Sequence, residues 1–418
     1  MAGRIAFYEF KLNTAAGEHL GGTGIYLTSL VNFLKAQRDR VSIRFIPCEP
    51  SHSEPRSLWE KSRALLGKGW ADIRDLLAAG EETLLFHYPK MPIIGRSNYA
   101  KVLAFAALGY GLLAIKKTVT GQRAIVLIQD LPTEQRLIRP SSSVPDLTRF
   151  HNWRRLPKSE WALTAVERLI FKLADVVVAP SSMLADHIAR KHSLPASKIV
   201  LKRRDIYAPT YDSAPKAIEV DSADGPRVFY SGDLGLPSLK RNLKAIIHAF
   251  RQFPSAHFYV CGKRREWIGK EVEIAGLKNV HYLGLLDYAT HDAVLKRCHI
   301  GLLLYEHSYY DLMATAKYSA YVAKGLAVLS TDLVTLSEIL REDRVGVAST
   351  IEELPTRLAH WLESPEELAP YRERARELSS NFVRGLYMQE WFDQAVLDLH
   401  TARRGPAGPN RSDDGAQA

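Results

Sequence analysis

Residues 316–328 run Ala-Lys-Tyr-Ser-Ala-Tyr-Val-Ala-Lys-Gly-Leu-Ala-Val. The pattern predicts a helix that stops at Gly325, followed by a strand. Lys317 falls near the helix start, with Tyr321 one turn further along the same face. A lysine close to a positive helix dipole is an unusual choice unless it faces an anion. The stretch therefore reads either as a pyrophosphate contact or as a helix with a plain surface lysine.

The same alternation extends outward in both directions. Ile5–Phe10, Val41–Ile46, Thr83–His87, Ala124–Gln129 and Asp175–Ala179 read as buried strands. Gly24–Ala36, Ala100–Lys117, Glu160–Leu173 and Ser181–Lys191 read as the helices between them. After residue 226 a second series begins, with strands expected at Arg227–Ser231, His257–Cys261, Val280–Leu283, Ile300–Tyr305, Ala327–Ser330 and Gly346–Ala348. Such βαβα series imply an α/β chain of two Rossmann-like, doubly wound parallel-sheet domains facing across a cleft. The expected division is 1–206 for the first domain, 207–226 for a Pro/Ser/Asp-rich linker and 227–364 for the second domain. Helices over 365–400 cross back to the first, and 401–418 is a disordered tail.

Composition narrows the function classes. The 418 residues carry a net charge of +10 and only three cysteines, Cys48, Cys261 and Cys298, too few and too scattered for a disulfide scaffold or a zinc cluster. Residues 1–205 hold 31 Lys and Arg against 18 Asp and Glu, a net of +13, so the excess belongs to the first half. Pairs such as Lys116–Lys117 and Arg154–Arg155, the latter near Phe150, Trp153 and Trp161, suit an anionic membrane surface. A merely solvated basic face is the plain alternative. No nucleic-acid signature accompanies the charge. The longest apolar run, Val102–Ile115, is shorter than the roughly 20 residues a spanning helix needs, and reads as a buried or an interfacial helix. No signal-peptide pattern opens the sequence, so the expected location is cytoplasmic, peripherally associated with the inner membrane face.

In open parallel sheets ligands bind beyond the carboxyl ends of strands, so candidate site residues are sought there. Gly21, Gly22 and Thr23 follow the first strand and lead into a helix, where glycines admit a ligand close to free backbone N–H groups. Gly232 and Asp233 follow the first strand of the second half, with Lys240 near the next helix start. A glycine turn with basic residues there can cradle a diphosphate, or can simply cap the helix.

The Lys317–Leu329 segment resembles the Lys-x-Ser-x-Tyr-x-Ala-x-Gly-x-Pro-Val-Ile segment of GT-B glycosyltransferases, in particular the bacterial glucosyltransferase and β-1,6-galactofuranosyltransferase-like group. Four further pieces agree in order. Phe229-Tyr-Ser-Gly-Asp-Leu resembles that group's strand followed by Gly-Asn-Leu. Phe258-Tyr-Val-Cys-Gly resembles its next strand-Gly, and Val280-His-Tyr-Leu-Gly its Val-x-Tyr-x-Gly. Ile128-Gln-Asp-Leu with Arg136 resembles its Ile-His-Asp-Leu followed by Arg. The resemblance implies transfer of a sugar from a nucleotide-diphosphate sugar, UDP-linked before GDP-linked, to a saccharide or lipid-diphosphate-linked acceptor in polysaccharide or glycoconjugate assembly. Lys317 would touch the donor diphosphate, the Gly232–Asp233 loop would lie against it, and Gly21–Gly22 would approach from the acceptor half.

The chain departs from the family pattern at several positions. Ala320 stands where retaining enzymes carry a second Glu, Asp233 where Arg is common, Thr315-Ala316 for Pro-His, Ala327 for Pro and Gln129 for His. With no DxD motif evident, cationic side chains and helix N-termini are expected to stabilise the leaving group without a metal or other cofactor. The base candidates after first-half strands are His87, Asp130 and Glu134, each of which could instead be structural. Glu306 follows a second-half strand and could touch the donor ribose or sugar. Three rival readings stand beside this one: a nucleotide-sugar 2-epimerase of the same fold, a non-catalytic partner subunit and a nucleic-acid-binding protein.

Overall fold

The computed structural model describes residues 4–8, 22–46, 78, 80–88, 111–128, 130–209, 211, 214–218, 225–232, 237–262 and 266–397. Among the described residues twelve strands form two parallel sheets of six. The first contains β1 (Arg4–Tyr8), β2 (Ser42–Ile46), β3 (Thr83–Tyr88), β4 (Arg123–Ile128), β5 (Val176–Ala179) and β6 (Ile199–Leu201), in spatial order β2-β1-β3-β4-β5-β6. The second contains β7 (Arg227–Ser231), β8 (His257–Cys261), β9 (Val280–Gly284), β10 (Ile300–Leu303), β11 (Ala327–Thr331) and β12 (Gly346–Ser349), in order β12-β11-β10-β7-β8-β9. The α/β doubly wound expectation is met in both halves.

Side-chain alternation explains why both faces of each sheet are covered. Along β4, Ala124, Val126 and Ile128 enter one core while Ile125 and Leu127 enter the other. In the second sheet, Val228, Tyr230, Phe258 and Val260 point to one face, and Phe229, Tyr259 and Cys261 to the other. Apolar residues at consecutive positions are what a parallel strand sandwiched between helices requires.

The expected strands recur with end shifts of one or two residues. The short edge strand β6 and the helices Pro132–Leu137, Thr148–His151 and Glu266–Ala275 were not expected. β10 ends at Leu303, so Tyr305 lies in the following loop rather than in the strand. The Gly21 turn, Asp233 and the 401–418 tail lie outside the described residues, as does most of the Val102–Ile115 run. Among the described residues no helix is long and apolar enough to cross a membrane.

Polar contacts join the halves. Arg204 is bidentate to Asp343 (2.7 and 3.0 Å) and also reaches Glu342 (2.8 Å), while Ser182 donates to Glu338 (2.7 Å). The helix Ala369–Val383 packs on the second half through Ala375, Leu378 and Phe382. Gly385, at φ +71°, then turns the chain; a β-carbon there would stand 2.7 Å from Ile206 Cδ1 and 3.1 Å from Phe33. The next helix, Leu386–Phe392, buries Met388, Trp391 and Phe392 in the same core as Ile5 and Phe7 of β1.

Candidate active site

The second sheet reverses its winding between β7 and β10, and a crevice opens at such a reversal beyond the carboxyl ends of the strands. Gly232 follows β7, Tyr305 and Glu306 follow β10, and the helix Ala316–Ala323 starts beside them. Thr315 caps that helix by accepting the Lys317 N–H (3.3 Å), and its hydroxyl meets the Tyr305 hydroxyl at 3.1 Å.

Lys317 is half-buried between two aromatic rings, its Nζ 5.8 Å from the Tyr230 centroid and 5.3 Å from that of Tyr305. Such cation–π contacts are worth roughly 0.5–2 kcal/mol each, enough to aim an ammonium but not to neutralise it. Among the described residues no carboxylate forms an ion pair with Lys317. Gly232 leaves the room: a β-carbon there would lie 2.8 Å from Lys317 Nζ and 2.7 Å from the Tyr230 hydroxyl. Beneath the lysine, burial pushes the Cys261 thiol up to about 11, and burial brings His291 down to about 4, so both are neutral at pH 7. The result is a positive charge at a helix N-terminus with no carboxylate partner among the described residues, over a backbone made bare by glycine.

Tyr321 is not part of this surface. It is fully buried, its ring lies against Gly301, and its hydroxyl donates to the Leu302 carbonyl (3.2 Å). The residue expected to touch the donor is a core residue because the helix face that carries it turns onto β10. Glu306 is half-buried in the loop after β10. The Lys240 side chain lies outside the described residues. Gly22 and Thr23 begin the helix Gly22–Ala36, which packs against Ala316–Ala323 from the first half.

The three base candidates separate clearly. His87 is 2 % exposed inside β3, edge-on to Phe7, and burial followed by the Lys202 charge lowers it to about 3. Glu134 is 0 % exposed and binds His187 and Lys191, both at 2.7 Å. Lys191 bridges onward to Glu167 (2.6 Å), which also holds His192 (2.7 Å). Both His87 and Glu134 are therefore interior side chains among the described residues, which weighs against either acting as the acceptor base.

Asp130 differs from both. It is half-buried just past the end of β4 and interacts with the Tyr309 hydroxyl, which comes from the loop after β10. The same hydroxyl accepts the Leu131 N–H at 2.6 Å. Burial raises the Asp130 carboxyl to about 6, and the Tyr309 hydrogen bond offsets only part of that. Sequence reading missed Tyr230, Tyr305 and Tyr309. The aromatic run around Tyr305, Tyr309 and Tyr310, placed directly after a strand, was the available signal.

Residues 240–382 match a family model described as glycosyl transferase-like. No curated protein matches the chain. Similar solved structures include sucrose-phosphate synthase from Thermosynechococcus elongatus (16 % identity, covering 96 % of this chain and 98 % of that one, TM-score 0.56). They also include Anabaena HepE in complex with UDP-glucose (14 % identity, 96 % and 100 % covered, TM-score 0.56). A third is a proposed UDP-N-acetylglucosamine 2-epimerase from Listeria monocytogenes (9 % identity, 94 % and 96 % covered, TM-score 0.55). At these identities the likeness establishes the fold.

Proposed function

From a chain that has the GT-B fold and carries a glycosyl transferase-like domain over residues 240–382, we propose a transferase that moves a sugar from a nucleotide-diphosphate sugar, UDP-linked before GDP-linked, to a saccharide or lipid-diphosphate-linked acceptor. The observation that carries this reading is Lys317, half-buried at a helix start, without a carboxylate partner among the described residues and facing the Gly232 backbone. Departure of a nucleoside diphosphate builds negative charge on the leaving oxygens. A fixed ammonium and helix N–H groups stabilise that charge without reorganising. Because a cation is already in place, the reaction needs no divalent ion, and turnover is expected to persist in EDTA. The HepE structure in complex with UDP-glucose is consistent with UDP as the carrier. A thermal-shift panel of UDP-, GDP-, dTDP- and ADP-sugars tests the reading: a shift with UDP-sugars is expected, and silence across the panel overturns it. Incubation with donor alone separates transfer from epimerisation, since only an epimerase converts the sugar without an acceptor.

Asp130 is assigned as the acceptor base, since it stands at the carboxyl end of β4 with a carboxyl raised to about 6 by burial. A base must be deprotonated, so kcat/KM rises with pH through about 6 and levels off above it. Asp130→Asn is expected to lower kcat about 10²–10⁴-fold and to abolish that acidic limb. A limb that survives the substitution would assign it to another group.

The basic first half is assigned to an anionic membrane surface. Ile115 and Val119 are 62 % and 79 % exposed, one turn apart on the helix over 111–120, beside Lys116 and Lys117. Co-sedimentation with phosphatidylglycerol vesicles, but not with phosphatidylcholine vesicles, is the expected result, and loss of the difference at low salt would contradict it.

A further inference from the structure

The loop that follows β10 belongs to the second half of the chain but is fastened into the first. Its Tyr309 and Leu312 are 4 % and 0 % exposed, in the core that holds Phe150 and Leu184. Two first-half donors clasp it on either side of Tyr309. The Ser141 N–H donates to the His307 carbonyl (2.9 Å), and the Ser181 hydroxyl to the Leu312 carbonyl (2.6 Å). Inside the loop, the fully buried Asp311 carboxylate accepts the N–H groups of Ser308 (2.8 Å) and Val334 (3.0 Å) and meets His307 Nδ1 at 3.0 Å. The Thr335 hydroxyl adds a bond to the Asp311 carbonyl (2.5 Å). The place of Tyr309 is therefore set by contacts that do not involve Asp130.

The polarity of its hydroxyl is set as well. The Leu131 N–H, 2.6 Å away, can only donate, so the Tyr309 oxygen accepts and its own proton is left to give. The Asp130 carboxylate, on the residue just before Leu131, receives it. Burial, then the Asp130 charge, hold the hydroxyl well above its ordinary range, so it stays protonated while Asp130 titrates. Among the described residues, charge also reaches it from Glu134 of the helix Pro132–Leu137 and Glu167 of the helix Lys158–Leu173. Both are bound to Lys191 of the helix Ser182–His192, and His187 and His192 complete that cluster. On Tyr309's own loop, His307 lies between Asp311 (3.0 Å) and Asp332 (3.5 Å). One proton serves one oxygen, so the second oxygen of Asp130 is left for an acceptor hydroxyl.

We propose that Tyr309 is a positioning residue for Asp130: from the second half of the chain it binds one carboxylate oxygen and turns the other towards the acceptor hydroxyl. This deepens the reading of Asp130 as the acceptor base and rests on it. A hydrogen bond to a carboxylate favours its charged form, so loss of the hydroxyl raises the carboxyl further and leaves less base at neutral pH. The test uses Tyr309→Phe, which removes only the hydroxyl. The Asp130 carboxyl is titrated by NMR of isotopically labelled aspartate carboxyl carbons, its signal assigned with Asp130→Asn. UDP release from UDP-glucose, with water as the acceptor, is measured across pH in the same variants. The NMR midpoint needs no substrate, so it decides even where UDP-glucose is not the donor.

In the parent both midpoints are expected at about 6. Tyr309→Phe is expected to move both up by about one pH unit, roughly a tenfold fall in kcat/KM on the acid side. Tyr207→Phe, which takes another buried hydroxyl from a carboxylate (Asp292, 2.8 Å), is expected to leave both in place. A fluorotyrosine at position 309 keeps the ring and the hydroxyl but donates more strongly. It is expected to move both midpoints down, and it tests the proposal even if Tyr309→Phe fails to fold. Midpoints that stay put in the Tyr309 variants overturn the proposal, as does an equal shift in Tyr207→Phe. A rate limb that persists in Asp130→Asn overturns the base reading itself, and the role of Tyr309 with it, whereas unmoved midpoints leave that reading standing.

Discussion

Lys317→Ala is expected to lower kcat/KM about 10²–10³-fold, with most of the loss in kcat. The reasoning rests on timing. In the ground state the donor diphosphate already carries charge, and solvent shares in stabilising it. As the glycosidic bond breaks, further charge gathers on the leaving oxygen, and a fixed ammonium gains more there than it did before. The lysine cannot relax away, because Tyr230 and Tyr305 flank it and the Thr315 cap fixes the start of its helix. Steady-state kinetics with purified variant and donor decide the matter. A rise in KM with kcat unchanged would demote Lys317 to ground-state binding. Unaltered kcat/KM would remove it from the site.

The second large effect concerns folding. Lys191→Met is expected to destabilise the first half by about 3–5 kcal/mol, because it leaves Glu134 and Glu167 buried together without their shared cation. For a unit of this size that amounts to a fall in melting temperature on the order of 10 °C. Burial pushes Glu167 up, but Lys191 and His192 outweigh it and hold the carboxyl below its ordinary range. Burial likewise pushes Lys191 down, but Glu167 and Glu134 outweigh it and hold the amine above its ordinary range. The signs follow. The contribution of the depressed carboxylate is present above the ordinary pKa of 4.5 and lost as pH falls below it. The contribution of the raised amine is complete below 10.5 and lost as pH rises beyond it. Thermal melts across pH check both limbs. A Lys191→Met melt within two degrees of the parent would show that water or rearrangement compensates the pair.

The strands were legible because parallel, doubly covered strands are short apolar runs, and Val176–Ala179 or Phe258–Val260 suits little else. β6 escaped notice because three residues at a sheet edge carry too little pattern. The positions of Lys317 and Gly232 were legible for a related reason: both are set by local backbone, a helix start and a turn after a strand. The burial of Glu134 and His87 was not legible, because polarity and position near a strand end are visible in sequence, whereas burial depends on partners far along the chain, Lys191 for one and Lys202 for the other. Tyr309 could not be foreseen at Asp130 because it belongs to the second half of the chain and packs into the core of the first.

The chain passes between its halves twice, once near Ile206 and once near Gly385, and the two passages run side by side. The Tyr207 N–H donates to the Phe382 carbonyl (3.1 Å), and Ile206 lies against Gly385. Two passages fastened to each other hold the halves more firmly than a single linker would, so a cut in the chain at one of them is expected to leave the halves joined by the other.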